Sequence, residues 1–133
     1  MKKVTAILLL FFFTFQSCHK VVYLSDKLMS HPWQISKWYE NERDMFRPCR
    51  ADDIYQFSAN DSFTLKTGDQ ICFTNEKPVY GGHWDMAPDE LKMTLVYDNH
   101  NYLFHILTLS DDIFEIAYQE DTINYHVTFR GAN

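Results

Sequence analysis

Apolar and polar residues alternate with period two in segment after segment of this chain, and turn-forming residues punctuate the segments. Alternation of that kind gives one face to a core and the other to water, the pattern of a half-buried β-strand. Trp33–Glu40 opens the series, and Asp53–Ser58, Ser62–Thr67 and Tyr80–Met86 follow. Leu91–Tyr97, Tyr102–Leu109, Ile113–Tyr118 and Thr122–Arg130 bring the predicted strands to eight. No ten-residue stretch of helical period separates them, and most connections are short, such as Asn60-Asp61 and Asp98–Asn101. Short connections make sequential strands antiparallel neighbours. A sheet of eight strands has two raw edges unless it closes on itself. The expected fold is therefore all-β, an eight-stranded antiparallel up-and-down barrel, with a two-sheet sandwich as the alternative. Gly81-Gly82 within the fourth strand predicts a bulge or sharp bend.

The strands are preceded by a different kind of segment. Lys2 and Lys3 stand before an apolar run from Val4 to Phe15, and Ser17-Cys18 follows. A run of about 12 residues is too short to cross the roughly 30 Å of a bilayer core as a helix, so residues 1–17 read as an export leader. Phe15-Gln16-Ser17-Cys18 resembles a bacterial lipobox, which implies cleavage before Cys18 and lipidation of that cysteine. The alternative is a plain leader cut near Ser17. Multiple acyl chains make such an anchor stable, because each buried methylene contributes about 0.8 kcal/mol. Residues 18–30 then form a tether with a short helical turn, starting at Ser25 as N-cap and ending before Pro32. Residues 31–133 form the barrel domain.

Losing the leader removes Lys2 and Lys3 and no acid, leaving 10 basic against 18 acidic side chains. The resulting net charge of −8 excludes a nucleic-acid binder that relies on a basic surface. If Cys18 carries lipid, Cys49 and Cys72 are left as an even pair in an oxidising compartment, which reads as a disulfide. A reactive or metal-binding thiol has less support, since there is no C-x-x-C spacing and no histidine close to either cysteine.

Several stretches taken together resemble the lipocalin-like domains of Bacteroidota lipoproteins. They are Pro32-Trp33-Gln34-Ile35, Cys49 through Asp52-Asp53 to Phe57, the Asn60-Asp61-Ser62 turn, Cys72, Gly82-His83-Trp84, and Leu91 to Leu95. The resemblance covers roughly residues 28–130. It implies an antiparallel barrel and a binding role of the lipocalin kind, here for a small apolar or amphipathic molecule; the scattered histidines and the lack of a nucleophile or phosphate-loop motif argue against an enzyme. It also implies a cell-envelope lipoprotein anchored to the outer membrane. His19-Lys20-Val21-Val22, directly after Cys18, lacks the acidic run that resembles a surface-export signal in such proteins, so a periplasm-facing position is expected.

The candidate ligand-contacting residues are those expected to point inward: Trp33, Ile35, Phe63, Leu65, Trp84, Met93, Leu95, His105, Tyr125 and Val127. Ile54, Leu91, Leu107, Ile123 and Phe129 are further inward candidates. His105 falls in register with Leu103 and Leu107, either as a satisfied core histidine or as a ligand contact. Of the 22 aromatic residues, 18 lie beyond the leader, enough either to fill an eight-stranded barrel or to line a small cavity in it. A filled barrel would serve as a structural or protein-interaction lipoprotein. No catalytic residue, metal site or cofactor is expected. His83 and Asp85 share a strand face but read as polar outer positions, and Asp52-Asp53 and Asp111-Asp112 as strand-start or turn residues.

Overall fold

The computed structural model describes residues 21–133; Cys18 and residues 1–17, with the leader and lipidation expected there, lie outside them. A helix α1 (Leu24–Met29) is followed by β1 (Trp33–Glu40), β2 (Arg43–Asp44) and a 3-10 turn at Pro48–Arg50. Next come β3 (Ile54–Ser58), β4 (Ser62–Lys66), β5 (Val79–Met86) and β6 (Lys92–Tyr97). β7 (His100–Leu109), β8 (Ile113–Glu120) and β9 (Ile123–Gly131) complete the chain. From β3 to β9 each strand pairs antiparallel with the next, β9 pairs with β1, and β1 meets β3 through Trp33 and Tyr55. Eight strands thus close into an up-and-down barrel, as expected. β2 is a two-residue addition on the end of β1.

Turn chemistry sets the hairpins. Asn60-Asp61 and Asp98-Asn99 hold positive φ at both residues (66° and 57°; 49° and 63°), which Asn and Asp tolerate best among non-glycine residues; Asp98-Asn99 is a two-residue hairpin loop and Asn60-Asp61 part of the three-residue loop between Ser58 and Ser62. The second turn is shorter than the expected Asp98–Asn101, so His100 and Asn101 already belong to β7.

Bulges decide which side chains face inward. One lies between Ile35 and Lys37 and another between Ile106 and Thr108. An extra residue inverts the alternation beyond it. Trp33 and Ile35 therefore point inward before the first bulge, and Trp38 after it. The expected bulge at Gly81-Gly82 is absent, for the β4–β5 and β5–β6 registers run unbroken there. Gly82 instead serves close approach: a Cβ on it would lie 2.1 Å from the Val96 carbonyl oxygen and 2.7 Å from Tyr97 Cβ. A Cβ on Gly81 would meet nothing within 4 Å. Gly82→Ala is expected to cost about 2 kcal/mol in urea unfolding, through forced backbone displacement. Gly81→Ala should stay within about 0.5 kcal/mol of the parent.

The lower end of the barrel is closed. α1 places Leu28, fully buried, beneath the fully buried Trp33, whose Nε1 donates to the Leu28 carbonyl at 2.9 Å. Ser25 is not the N-cap. The helix starts one residue earlier, its N-cap position (Tyr23) makes no side-chain bond, and the Leu24 N–H donates to the Glu90 carboxylate at 3.2 Å. A carboxylate from the β5–β6 connection does what a local cap would otherwise do.

Candidate functional site

The upper end is built from the Asn41–Asp53 and Thr67–Pro78 connections and from the two tight hairpins after β6 and β8. Tyr97 and Tyr102 flank the Asp98-Asn99 turn, while Tyr118 and Tyr125 flank Asp121-Thr122. Inward-facing positions next to turns at one end of a barrel must converge on that end's rim. The rings do meet: Tyr97–Tyr102 centroids are 5.5 Å apart, Tyr102–Tyr118 5.8 Å and Tyr118–Tyr125 4.6 Å. Trp38 closes the collar edge-on to Tyr125 at 6.1 Å.

Below the collar is a cavity of about 60 Å³, lined by Ile35, Trp38, Tyr55, Leu95, Tyr118 and Val127 among others. It is small, because aromatic rings fill the rest of the interior. Two larger grooves adjoin it at the mouth. One of about 240 Å³ runs along Trp38, Glu40, Met45, Phe46 and Phe73, and one of about 290 Å³ lies beside Leu65, Tyr80, Tyr97 and Tyr102. Arg50 and Phe73 line both grooves and divide them.

A latch holds the mouth loops. Cys49 and Cys72 form the expected disulfide, joining the two long connections. Arg50, beside Cys49, donates to Asp53 at 3.0 Å and to Glu76 at 2.6 Å. Glu76 accepts the Cys72 N–H at 3.0 Å, and Asp53 accepts that of Gly68 at 3.0 Å. The guanidinium groups of Arg47 and Arg50 each lie 5.4 Å from the centre of the Phe73 ring, within range of cation–π attraction. Asp53, read from the sequence as a strand-start residue, is thus the buried anchor of this latch.

Of the residues expected to point inward, Trp33, Ile35, Phe63, Leu65, Trp84, Met93, Leu95 and Val127 are buried in the core. Only Ile35, Leu95 and Val127 among them reach the cavity, and Leu65 borders the larger groove. Trp33, Phe63, Trp84 and Met93 pack the core instead. Tyr125 is half-buried in the collar.

His105 is corrected: it is exposed on the outer face with Leu103 and Leu107, while Tyr102, Phe104 and Ile106 turn inward. Both faces of β7 are apolar, so alternation alone did not choose between them, and the bulge at Leu107 then brings Leu109 back toward the core. Leu91 is also outside, 60% exposed in the bend before β6. Ile54 lies on the face opposite Tyr55 and Phe57. The sequence reading missed the collar residues Trp38, Tyr97, Tyr102 and Tyr118. The tyrosines flanking two turns at the same end were the signal that could have found them.

Burial, followed by the charges of neighbouring groups, holds the hydroxyls of Tyr55, Tyr97 and Tyr118 well above their ordinary range. A group whose folded pKa is raised stabilises the fold fully below its unfolded pKa and loses that contribution as pH climbs toward the folded value. Stability should therefore fall above about pH 10, the ordinary tyrosine value. In an alkaline titration, the phenolate absorbance of these buried tyrosines should rise together with loss of circular dichroism, not before it.

On the outer face, a shallow depression across β1, β8 and β9 carries His126, 2.5 Å from Glu115, beside Lys37 and Tyr39. Among the described residues no group of three or more His, Cys, Asp or Glu side chains is arranged to hold a metal ion.

No curated protein and no solved structure matches the chain. The family model described as a lipocalin-like domain matches residues 29–116, from the end of α1 into β8. That span is about two thirds of the chain and includes the Trp33 core, the disulfide latch and half of the tyrosine collar. The closed lower end, the sequential antiparallel strands and this match agree, and the chain belongs to the lipocalin-like domain family.

Proposed function

We propose that this protein is an exported, lipid-anchored binding protein that holds a small apolar or amphipathic molecule at the mouth of its barrel. The supporting observation is the aromatic collar of Trp38, Tyr97, Tyr102, Tyr118 and Tyr125, set between the small cavity and the two mouth grooves. Rings with an apolar body and a polar tip suit a ligand that is part buried and part wet. A cavity of about 60 Å³ is well below the ~300 Å³ that encloses a drug-sized ligand. The ligand therefore inserts only one end and rests the remainder in a groove. Anchoring is through lipidated Cys18 to the outer membrane, with the domain facing the periplasm.

Native mass spectrometry of the protein purified from its own host is the direct test. A co-purifying small molecule that is lost on Trp38→Ala supports the reading. A ligand-free protein, or a bound mass indifferent to Trp38, counts against it. Cys18→Ser should release the protein from the membrane fraction, and unchanged partition would overturn the anchoring.

The densely packed lower core favours a second reading, a filled barrel acting as a structural or interaction lipoprotein without a ligand. In that case none of the collar substitutions should alter what co-purifies.

A further inference from the structure

We infer that the end of the ligand inserted into the collar is an organic cation, an ammonium or quaternary ammonium group on an otherwise apolar body. This inference rests on the mouth-binding reading above. Carboxylates surround the collar, and their pairing is uneven. Asp98 is held by Lys77 at 3.3 Å, while Asp53 and Glu76 are held by Arg50. Glu40, Glu120 and Asp121 have no cationic partner among the described residues. All three lie on the Tyr118–Tyr125 side of the mouth: Glu40 pairs with Tyr125 across β1 and β9, and Glu120 and Asp121 stand at the turn between β8 and β9. Glu40 is tied to the collar itself, accepting a hydrogen bond from Trp38 Nε1 at 3.2 Å.

The rings add a second attraction of the same sign. Trp38, Tyr102 and Tyr118 all border the cavity, and the negative face of an aromatic ring draws a cation placed over it.

Size limits what enters: a space of about 60 Å³ takes a head group and not a chain. The groove beyond Trp38, with Met45, Phe46 and Phe73, offers apolar contact for the body. Arg47 lies at that groove too, over the face of Phe73. An anionic head in the collar would face three unpaired carboxylates, and a neutral one would gain nothing from them.

The test is calorimetric titration of the soluble Cys18→Ser protein with octyltrimethylammonium, octanol and octanoate. The ammonium probe should bind about 10-fold more tightly than octanol, as cation–π and nearby carboxylate terms suggest, and octanoate should bind weakest. Glu40→Gln with Glu120→Gln, verified as folded by an unchanged melting curve, should bring the ammonium probe down to the octanol level. The amide oxygen introduced by Glu40→Gln still accepts from the Trp38 indole, so the change reports charge. Octanol or octanoate binding as tightly as the ammonium probe would overturn the cation assignment while leaving mouth binding intact. Undiminished ammonium binding by the double variant would overturn it as well. Binding of none of the three probes would sink both readings.

Discussion

Trp33→Ala should lower the unfolding free energy by about 4 kcal/mol, the scale for emptying a fully buried aromatic site, read as a shift of the urea midpoint by circular dichroism. Trp33 has no solvent exposure, packs 5.7 Å from Phe114 and 4.2 Å from His31, and bonds the end of α1 through Leu28. Its removal opens a hole at the point where β1 meets β3 and frees the helix that covers the barrel's lower end. Trp33→Phe keeps much of the packing but leaves the Leu28 carbonyl without its donor, and should cost about 2 kcal/mol. A loss below about 1 kcal/mol for the alanine variant would mean that the lower core collapses around the gap. Because the damage is at the closed end, binding at the mouth should persist in whatever fraction stays folded.

Arg50→Ala is the counterpart at the open end. Asp53 and Glu76, with side chains 1% and 4% exposed, both face one nitrogen of this guanidinium. Without it, two buried carboxylates share a site with no compensating charge, a situation that typically costs about 3–5 kcal/mol. Arg50 itself is 23% exposed, so water reaches part of the site. The expected loss is accordingly about 3 kcal/mol in urea unfolding. Adding Asp53→Asn and Glu76→Gln to the variant should restore much of it, because the amides no longer require a cation. Full stability in the single variant would show that the carboxylates reach solvent once the guanidinium is gone. The Phe73 clasp loses one of its two cations in the same variant, so the grooves at the mouth should also change. Arg50→Lys should recover part of the stability, having one charge but no flat guanidinium to stack on Phe73.

The barrel was legible because its information is local. Each strand shows its alternation within eight or so residues, and tight turns show in pairs such as Asp98-Asn99. The disulfide was legible from the count of cysteines together with the reading of residues 1–17 as an export leader. The mouth was not. Which face of β7 turns inward depends on the bulge at Leu107, and Trp38 enters the collar only because a bulge precedes it. A bulge is fixed by what the partner strand requires, and a single strand's sequence does not contain that requirement. Arg50, Asp53 and Glu76 likewise come from two connections 26 residues apart at their extremes, and nothing in either stretch names the other.

Composition and periodicity by themselves determined that the chain makes sequential antiparallel strands around an aromatic interior, and the β1–β9 pairing then decided for a closed barrel over a sandwich. Period-two burial and short turns admit few other arrangements. Tertiary structure alone decided that the interior is nearly full, that its remaining space lies under a ring of tyrosines, and that unpaired carboxylates gather on one side of that ring. Volume and field are sums over residues distant in sequence, so they exist only once the strands have closed.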